Sequence, residues 1–213
     1  MWYRHSLDPA WRQPCYFKMM VYLIRHGETN VASNGLYGRS PGVHLSVAGR
    51  AQAHKIADHL QDRAIGAIYS SPLERAMETA APLAARKTIA VQSSAAFNEV
   101  NQGDWTGQTW SQLGEDPSWR LYNTFRGGTS CPNGEMAVEV QARVVREMNH
   151  LTAADEGQHM AIFTHADVIR AAVCFYAGIP LDLSLRVEIG LGSVSTLELR
   201  RDGARIIELN RIP

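Results

Sequence analysis

Met20–Ile24 is hydrophobic at every position and stops abruptly at Arg25-His26-Gly27, which predicts a buried strand opening into a loop. The period then changes. Across Ser46–Asp62, Val47, Ala51, Ile56 and Leu60 fall near one face with polar residues between, which predicts a helix. Ala67–Tyr69 reads as a second short strand. Ser71-Pro72-Leu73-Glu74 then predicts a helix start, with Ser71 as cap, Pro72 at the first helical position and Glu74 completing a capping box; that helix runs to about Ala85. Ile89–Gln92 is a third strand, Glu135–Leu151 a long amphipathic helix and His159–Thr164 a fourth strand ending at His165. Ala166–Ala177 is an almost wholly apolar helix stopped by Gly178 and Pro180. Val194–Leu199 and Ala204–Leu209 flank Arg201-Asp202-Gly203 and predict a hairpin with Asp-Gly at its turn. The order predicts an α/β fold with a mainly parallel central sheet and helices on both faces.

Residues 93–133 interrupt this alternation. They are rich in Gly and Trp, hold Trp105, Trp110 and Trp119, and contain Asp116-Pro117 as a short helix start. They are expected to form a small cap over a site, its tryptophans serving core or cap packing more than a ligand platform, with Trp105 the one to watch. Residues 19–213 then make one domain. Residues 1–18 carry Arg4, Asp8, Arg12 and Lys18 among aromatics and prolines, without the apolar stretch of a secretory signal. They are expected to be a loose extension, with Met19 or Met20 as the natural start.

Composition narrows the function. Lys+Arg and Asp+Glu are 21 each, so the formal net charge is zero and nothing in bulk attracts nucleic acid or an anionic membrane. No apolar stretch reaches the roughly 20 residues of a membrane helix. Cys15, Cys131 and Cys174 are widely spaced, odd in number and without a CxxC pair, which favours a reducing cytoplasm over a disulfide framework or a zinc site. His54 and Asp58, four apart on the first helix, are expected to lie on a solvated face rather than to bind metal.

The chemistry gathers after strands. Arg25-His26 follows the first, Ser70–Arg75 the second and His165 the fourth, while Phe97-Asn98-Glu99 comes soon after the third. Open α/β sheets bind ligands at the carboxyl ends of their strands. Arg25 and Arg75 would grip a tetrahedral oxyanion, because a guanidinium offers a fixed fork of donors. A neutral His26 is a competent nucleophile, and nearby cations favour the neutral form. A protonated His165 would add positive charge, and Glu99, kept protonated, would give a proton to a leaving oxygen.

Arg25-His26-Gly27-Glu28-Thr29, the run 71–80, Glu99 ahead of Gly103-Asp104-Trp105-Thr106-Gly107, Pro132-Asn133-Gly134-Glu135 and Thr164–Arg170 together resemble the motifs of the histidine phosphatase superfamily, the family of cofactor-dependent phosphoglycerate mutases and related phosphatases. The resemblance spans about Met20 to Leu199. It implies a phosphoglycerate mutase-like fold, His26 as the phosphohistidine, Glu99 as proton donor and later as the base that activates water, and Arg25, Arg75 and His165 as the phosphate pocket. Arg39 would extend that pocket and the Ala166 N–H would face phosphate. No metal and no cofactor is implied. The chain departs from the family where Ala32 replaces a usual Asn and where Ala166-Asp167 replaces Gly-Gly. Glu99-Val100-Asn101-Gln102-Gly103 stands where the mutases read Glu-Arg-His-Tyr-Gly, and the cap is shorter than theirs. The expectation is a cytoplasmic, metal-independent phosphomonoesterase acting on a small phosphorylated metabolite. A mutase using the same site is the alternative, ahead of a non-catalytic phosphate-binding module. The sequence sets no oligomeric state; a homodimer is compatible with it.

Overall fold

The computed structural model describes residues 18–31, 34–154, 157–200 and 203–213. Its elements follow in the order β1 (Lys18–Arg25), α1 (Val47–Leu60), β2 (Ile65–Ser70), α2 (Glu74–Lys87), β3 (Val91–Ser93), α3 (Trp110–Glu115), α4 (Pro117–Thr124), α5 (Ala137–Ala154), β4 (His159–Thr164), α6 (Ala166–Ala177), β5 (Val194–Arg200) and β6 (Gly203–Arg211). The sheet order is β3-β2-β4-β1-β5-β6. β1 runs parallel to β4, which is parallel to β2, which is parallel to β3. β5 is antiparallel to β1, and β6 to β5. This is the expected α/β architecture.

Alternation along β1 divides the core in two. Met19, Val21 and Leu23 join Val140, Val144 and Met148 of α5 and Val168, Ile169 and Val173 of α6 on one face. Tyr22 and Ile24 join Ile56 and Leu60 of α1 and Leu83 of α2 on the other. The first core continues without a break into Phe97, Val100, Trp105, Leu113 and Tyr122. The cap is therefore packed onto the sheet's own core.

Three local expectations are corrected. Val47 is 78% exposed, and the buried face of α1 is Gly49, Ala53, Ile56, Ala57 and Leu60. Small residues define that face because backbone meets backbone there: a Cβ on Gly49 would lie 1.9 Å from the Glu28 carbonyl oxygen, in the loop that follows β1. α2 begins at Glu74 with Leu73 as its uncapped N-cap residue, so Ser71 does not cap it. The helix ends on Thr88, a non-glycine residue at φ 55° whose N–H bonds the last carbonyls. α3, capped by a Thr109–Gln112 capping box, was not anticipated. The strand pair β5–β6 forms as expected, with Arg201 and Asp202 outside the described residues, as are 1–17, Cys15 and Ala32. Lys18 belongs to β1 and pairs with Glu198, so the extension proper does not include it.

Candidate active site

The parallel register brings three strand ends together. Arg25 of β1 lies opposite Thr164 of β4, and Ser70 of β2 lies opposite Phe163. The next residue on each strand is His26, Ser71 or His165. The His26 N–H continues the ladder onto the Thr164 carbonyl at 3.0 Å, and the Ser71 N–H onto the Phe163 carbonyl at 2.9 Å. The His26 and His165 rings consequently face each other with centroids 5.2 Å apart.

The His26 ring is fixed by its own loop. Nδ1 lies 2.8 Å from the Gly27 carbonyl, which can only accept, so Nδ1 carries the proton and Nε2 keeps its lone pair. The Gly27 N–H in turn donates to Thr79 Oγ1 of α2. Burial, Arg75 and Arg25 push the His26 pKa down to about 3, so the ring is neutral at ordinary pH.

Of the two clamp arginines, Arg75 is buried and Arg25 partly buried, and each keeps a buried donor atom without a partner among the described residues. Arg25 Nη1 donates to the Ile189 carbonyl at 2.7 Å, while its Nε has no partner among the described residues. Arg75 Nη2 donates to the Gly38 carbonyl at 2.8 Å, while its Nη1 has none. Buried donors left unpaired are expensive, and an oxyanion would satisfy both.

His165 differs from expectation in its resting charge. Arg75 Nη2 lies 3.3 Å from its Nδ1; a guanidinium only donates, so Nδ1 accepts and Nε2 donates to Ser71 Oγ at 2.8 Å. Burial, His26, Arg75 and Arg25 hold its pKa well below the usual value. Burial first, and then the cations around it, keep the ring neutral. Ser71, expected as a helix cap, is instead the partner that fixes this tautomer. Ala166 opens α6, so its N–H belongs to the first turn, where helices leave donors unpaired.

Glu99 reaches the same place without a strand to carry it. Its carboxylate Oε2 is 3.8 Å from His165 Nδ1, and Oε1 accepts the Val100 N–H at 2.9 Å. Burial and Asp167 raise its pKa against the pull of Arg75 and Arg25, favouring the protonated form expected of an acid. Its loop is held by long side chains. Arg39 Nε and Arg143 Nη2 both donate to the Glu99 carbonyl, at 2.7 and 3.2 Å. Arg143 also binds the Ala96 and Asn98 carbonyls, and the Thr164 hydroxyl binds the Phe97 carbonyl at 2.6 Å. Glu135 joins the two arginines, accepting from Arg39 Nη2 at 2.8 Å and from Arg143 Nε at 3.1 Å. Arg39 was expected in the phosphate pocket; its guanidinium is turned to this clamp.

The sequence reading also missed Glu135 and Arg143 as functional positions. Glu135 lay in a motif already quoted, and its eight-residue offset from Arg143 across the start of α5 gave no periodic signal. Trp105 is not a ligand platform: it is buried, edge-on to Trp119 at 5.1 Å, with Nε1 donating to Asp116. Glu28 accepts from the Ser46 hydroxyl at 2.6 Å, which ties the loop to the start of α1. Asp58 pairs with Arg86 of α2.

Known proteins resemble this chain over most of its length. The histidine phosphatase superfamily (branch 1) matches residues 21–212. The uncharacterized protein Rv0525 of Mycobacterium tuberculosis is 35% identical over 201 residues, covering 89% of this chain and 93% of that protein. The adenosylcobalamin/alpha-ribazole phosphatase of Escherichia coli is 25% identical over 195 residues, covering 90% and 96%. Among solved structures, the mycobacterial glucosyl-3-phosphoglycerate phosphatase Rv2419c is similar with a TM-score of 0.83 at 25% identity, covering 91% of this chain and 99% of that one.

Proposed function

The chain belongs to the histidine phosphatase superfamily, branch 1, and from that premise we propose that it is a metal-independent phosphomonoesterase that carries the phosphoryl group on His26. One observation carries the reading: a neutral imidazole with Nε2 free stands beside two buried guanidinium donors, Arg25 Nε and Arg75 Nη1, that lack partners. The phosphoryl oxygens satisfy those donors, and the two positive charges offset the charge on the equatorial oxygens. The Nε2 lone pair forms the N–P bond as the P–O bond to the alcohol breaks. Glu99 gives its proton to the departing oxygen. As a carboxylate it then takes a proton from water, whose oxygen attacks phosphorus, and the N–P bond breaks to restore His26 and release phosphate. A bound dianion also draws a proton toward His165, whose neutrality reflects burial first and then its cationic neighbours.

Two of the compared proteins are phosphatases by name, which supports water as the acceptor. The reading includes a small cytoplasmic metabolite as substrate. Among the described residues, no helix is long and apolar enough to cross a membrane.

The test is a screen of phosphomonoesters with EDTA present, repeated with His26→Ala. Release of inorganic phosphate that survives EDTA and disappears in the variant is expected. Full activity in His26→Ala sinks the phosphohistidine mechanism, and isomerised product without free phosphate replaces hydrolysis with phosphoryl return.

A further inference from the structure

The state of the His26 ring depends on one peptide group. Its Nδ1–H donates to the Gly27 carbonyl at 2.8 Å. That carbonyl shares a plane with the Glu28 N–H, which points the opposite way across a trans peptide bond. The Glu28 N–H donates to Gln52 Oε1 of α1 at 2.8 Å. A backbone N–H only donates, so the Gln52 amide presents its oxygen, not its nitrogen, to this peptide.

Gln52 lies against two glycines. A Cβ on Gly27 would stand 3.2 Å from Gln52 Oε1, and a Cβ on Gly192 would stand 3.2 Å from Gln52 Cβ. The Gly27 carbonyl bonds the His26 ring, and the Gly192 N–H donates to the His26 carbonyl at 3.1 Å. One half-buried side chain thus adjoins both groups that hold the nucleophile, its ring and its backbone.

A peptide next to glycine has few steric barriers to turning over. Were the Gly27–Glu28 peptide to turn, its N–H would face Nδ1, and Nδ1 would have to accept. The ring proton would then sit on Nε2, and the atom that attacks phosphorus would have no lone pair to give. The same turn would set the Gly27 carbonyl oxygen against Gln52 Oε1, two acceptors without a proton between them, which is costly.

Resting on the phosphomonoesterase reading, we infer that Gln52 is a positioning residue for the nucleophile: by holding the Gly27–Glu28 peptide it keeps the His26 proton on Nδ1 and the lone pair on Nε2. It acts through the peptide and not on the substrate. Arg25 and Arg75 are oriented by other groups, the Ile189 and Gly38 carbonyls, so oxyanion affinity and readiness of the nucleophile are separable.

Gln52→Met keeps the length of the side chain and removes the acceptor, whereas Gln52→Glu keeps an acceptor oxygen at the same place. Each variant is assayed with p-nitrophenyl phosphate, with inorganic phosphate as competitive inhibitor. NMR of the labelled imidazole nitrogens, with the His26 signals assigned by their loss in His26→Ala, reads which nitrogen carries the proton. Gln52→Met is expected to lower kcat at least about tenfold while the phosphate Ki stays within about twofold of wild type. The His26 proton is expected to shift toward Nε2 in that variant, and Gln52→Glu to recover both kcat and the Nδ1–H form. A merely structural role would lower the melting temperature and move kcat and Ki together, with the tautomer unmoved. Should Gln52→Met show no cooperative melting, Gln52→Ala, which adds no bulk and suits a helix, takes its place. An unchanged kcat in a folded variant overturns the inference, as does a lowered kcat without a change of tautomer, or a Gln52→Glu protein that behaves like Gln52→Met. Wild-type protein with the proton already on Nε2 overturns it without any variant. Wild-type protein inert toward p-nitrophenyl phosphate overturns the phosphomonoesterase reading instead, and the NMR comparison still reads what Gln52 does to the ring.

Discussion

The phosphate pocket and the Glu99 segment meet at one point but are built in opposite ways. Arg25, His26, Ser71 and His165 are placed by backbone, as the last residues or first successors of adjacent parallel strands whose ladder bonds continue through them. Glu99 is placed by side chains: Arg39, Arg143 and the Thr164 hydroxyl reach in from three distant stretches to hold the carbonyls of residues 96–99, and Glu135 accepts from both arginines. The part that grips charge is as rigid as the sheet. The part proposed to move a proton rests on interactions that one substitution removes, so it is the part that can be retuned without disturbing the fold.

The comparison is broken most severely on the pocket side. Arg75→Ala removes a transition-state donor and is expected to lower kcat/KM about a thousandfold, equally for p-nitrophenyl phosphate and for an alkyl phosphate. Glu99→Gln separates the two halves. With an alkyl phosphate, whose leaving oxygen needs a proton, kcat is expected to fall about a hundredfold; with p-nitrophenyl phosphate, whose phenolate leaves unaided, the loss stays under about tenfold. A leaving-group-independent loss in Glu99→Gln would move Glu99 from proton donor to scaffold. Arg143→Lys keeps the charge but loses the fork that spans three carbonyls and Glu135. It is expected to cost about tenfold in kcat for the alkyl ester with KM little changed. Equal loss for both esters would mean that the clamp also supports the pocket.

The pH profile reads both regions at once. His26 must be neutral to attack, and its pKa is pushed down to about 3, so the acid limb of kcat/KM falls only near that pH. Glu99 must be protonated to donate, and its pKa is raised, so activity is lost as pH rises through a value above the usual carboxylate range. Activity with the alkyl ester is therefore expected to fall on the alkaline side. Glu99→Gln removes the alkaline limb, and Asp167→Asn moves it to lower pH, because Asp167 is a cause of the rise. In stability the signs oppose. Between its ordinary 6.5 and about 3, His26 takes up a proton more readily in the unfolded chain, so acid destabilises the fold through it, while protonated Glu99 is favoured in the fold. Activity toward the alkyl ester that keeps rising through the alkaline range would contradict Glu99 as proton donor.

The same division explains what could be read from the sequence. Strand ends announce themselves: an apolar run stops and a charged or titratable residue follows, as at Ile24-Arg25-His26 and Thr164-His165, so the fold and the pocket were legible. Small residues hid the rest of the packing, since Gly49 and Ala53 carry no hydrophobic signal yet form the buried face of α1. Ser71 was misread because Ser-Pro has the grammar of a helix start, and only the tertiary approach of His165 at 2.8 Å reveals its role. Arg39 was visible as a cation near the site, but its direction depends on Glu135, 96 residues away. A side-chain clamp has no period and no fixed spacing, so residue type alone cannot reveal it.

Trp105 gives the finest test of the comparison, because it lies in the cap yet serves the fold. It is 1% exposed, packs against Trp119 and Tyr122, and directs its indole N–H to Asp116 at 2.8 Å. Replacing a buried aromatic of this size by alanine leaves a cavity and typically costs about 3–5 kcal/mol. Trp105→Ala is therefore expected to lower the melting temperature by many degrees. Below the transition, its kcat and KM for p-nitrophenyl phosphate should stay within about twofold of wild type, because neither Glu99 nor the strand-end residues bond to the indole. A Trp105→Ala protein that melts like wild type but binds alkyl phosphates much more weakly would return this residue to the ligand and blur the line between cap packing and substrate choice. A clear loss of stability with intact turnover would keep Trp105 on the side of the fold.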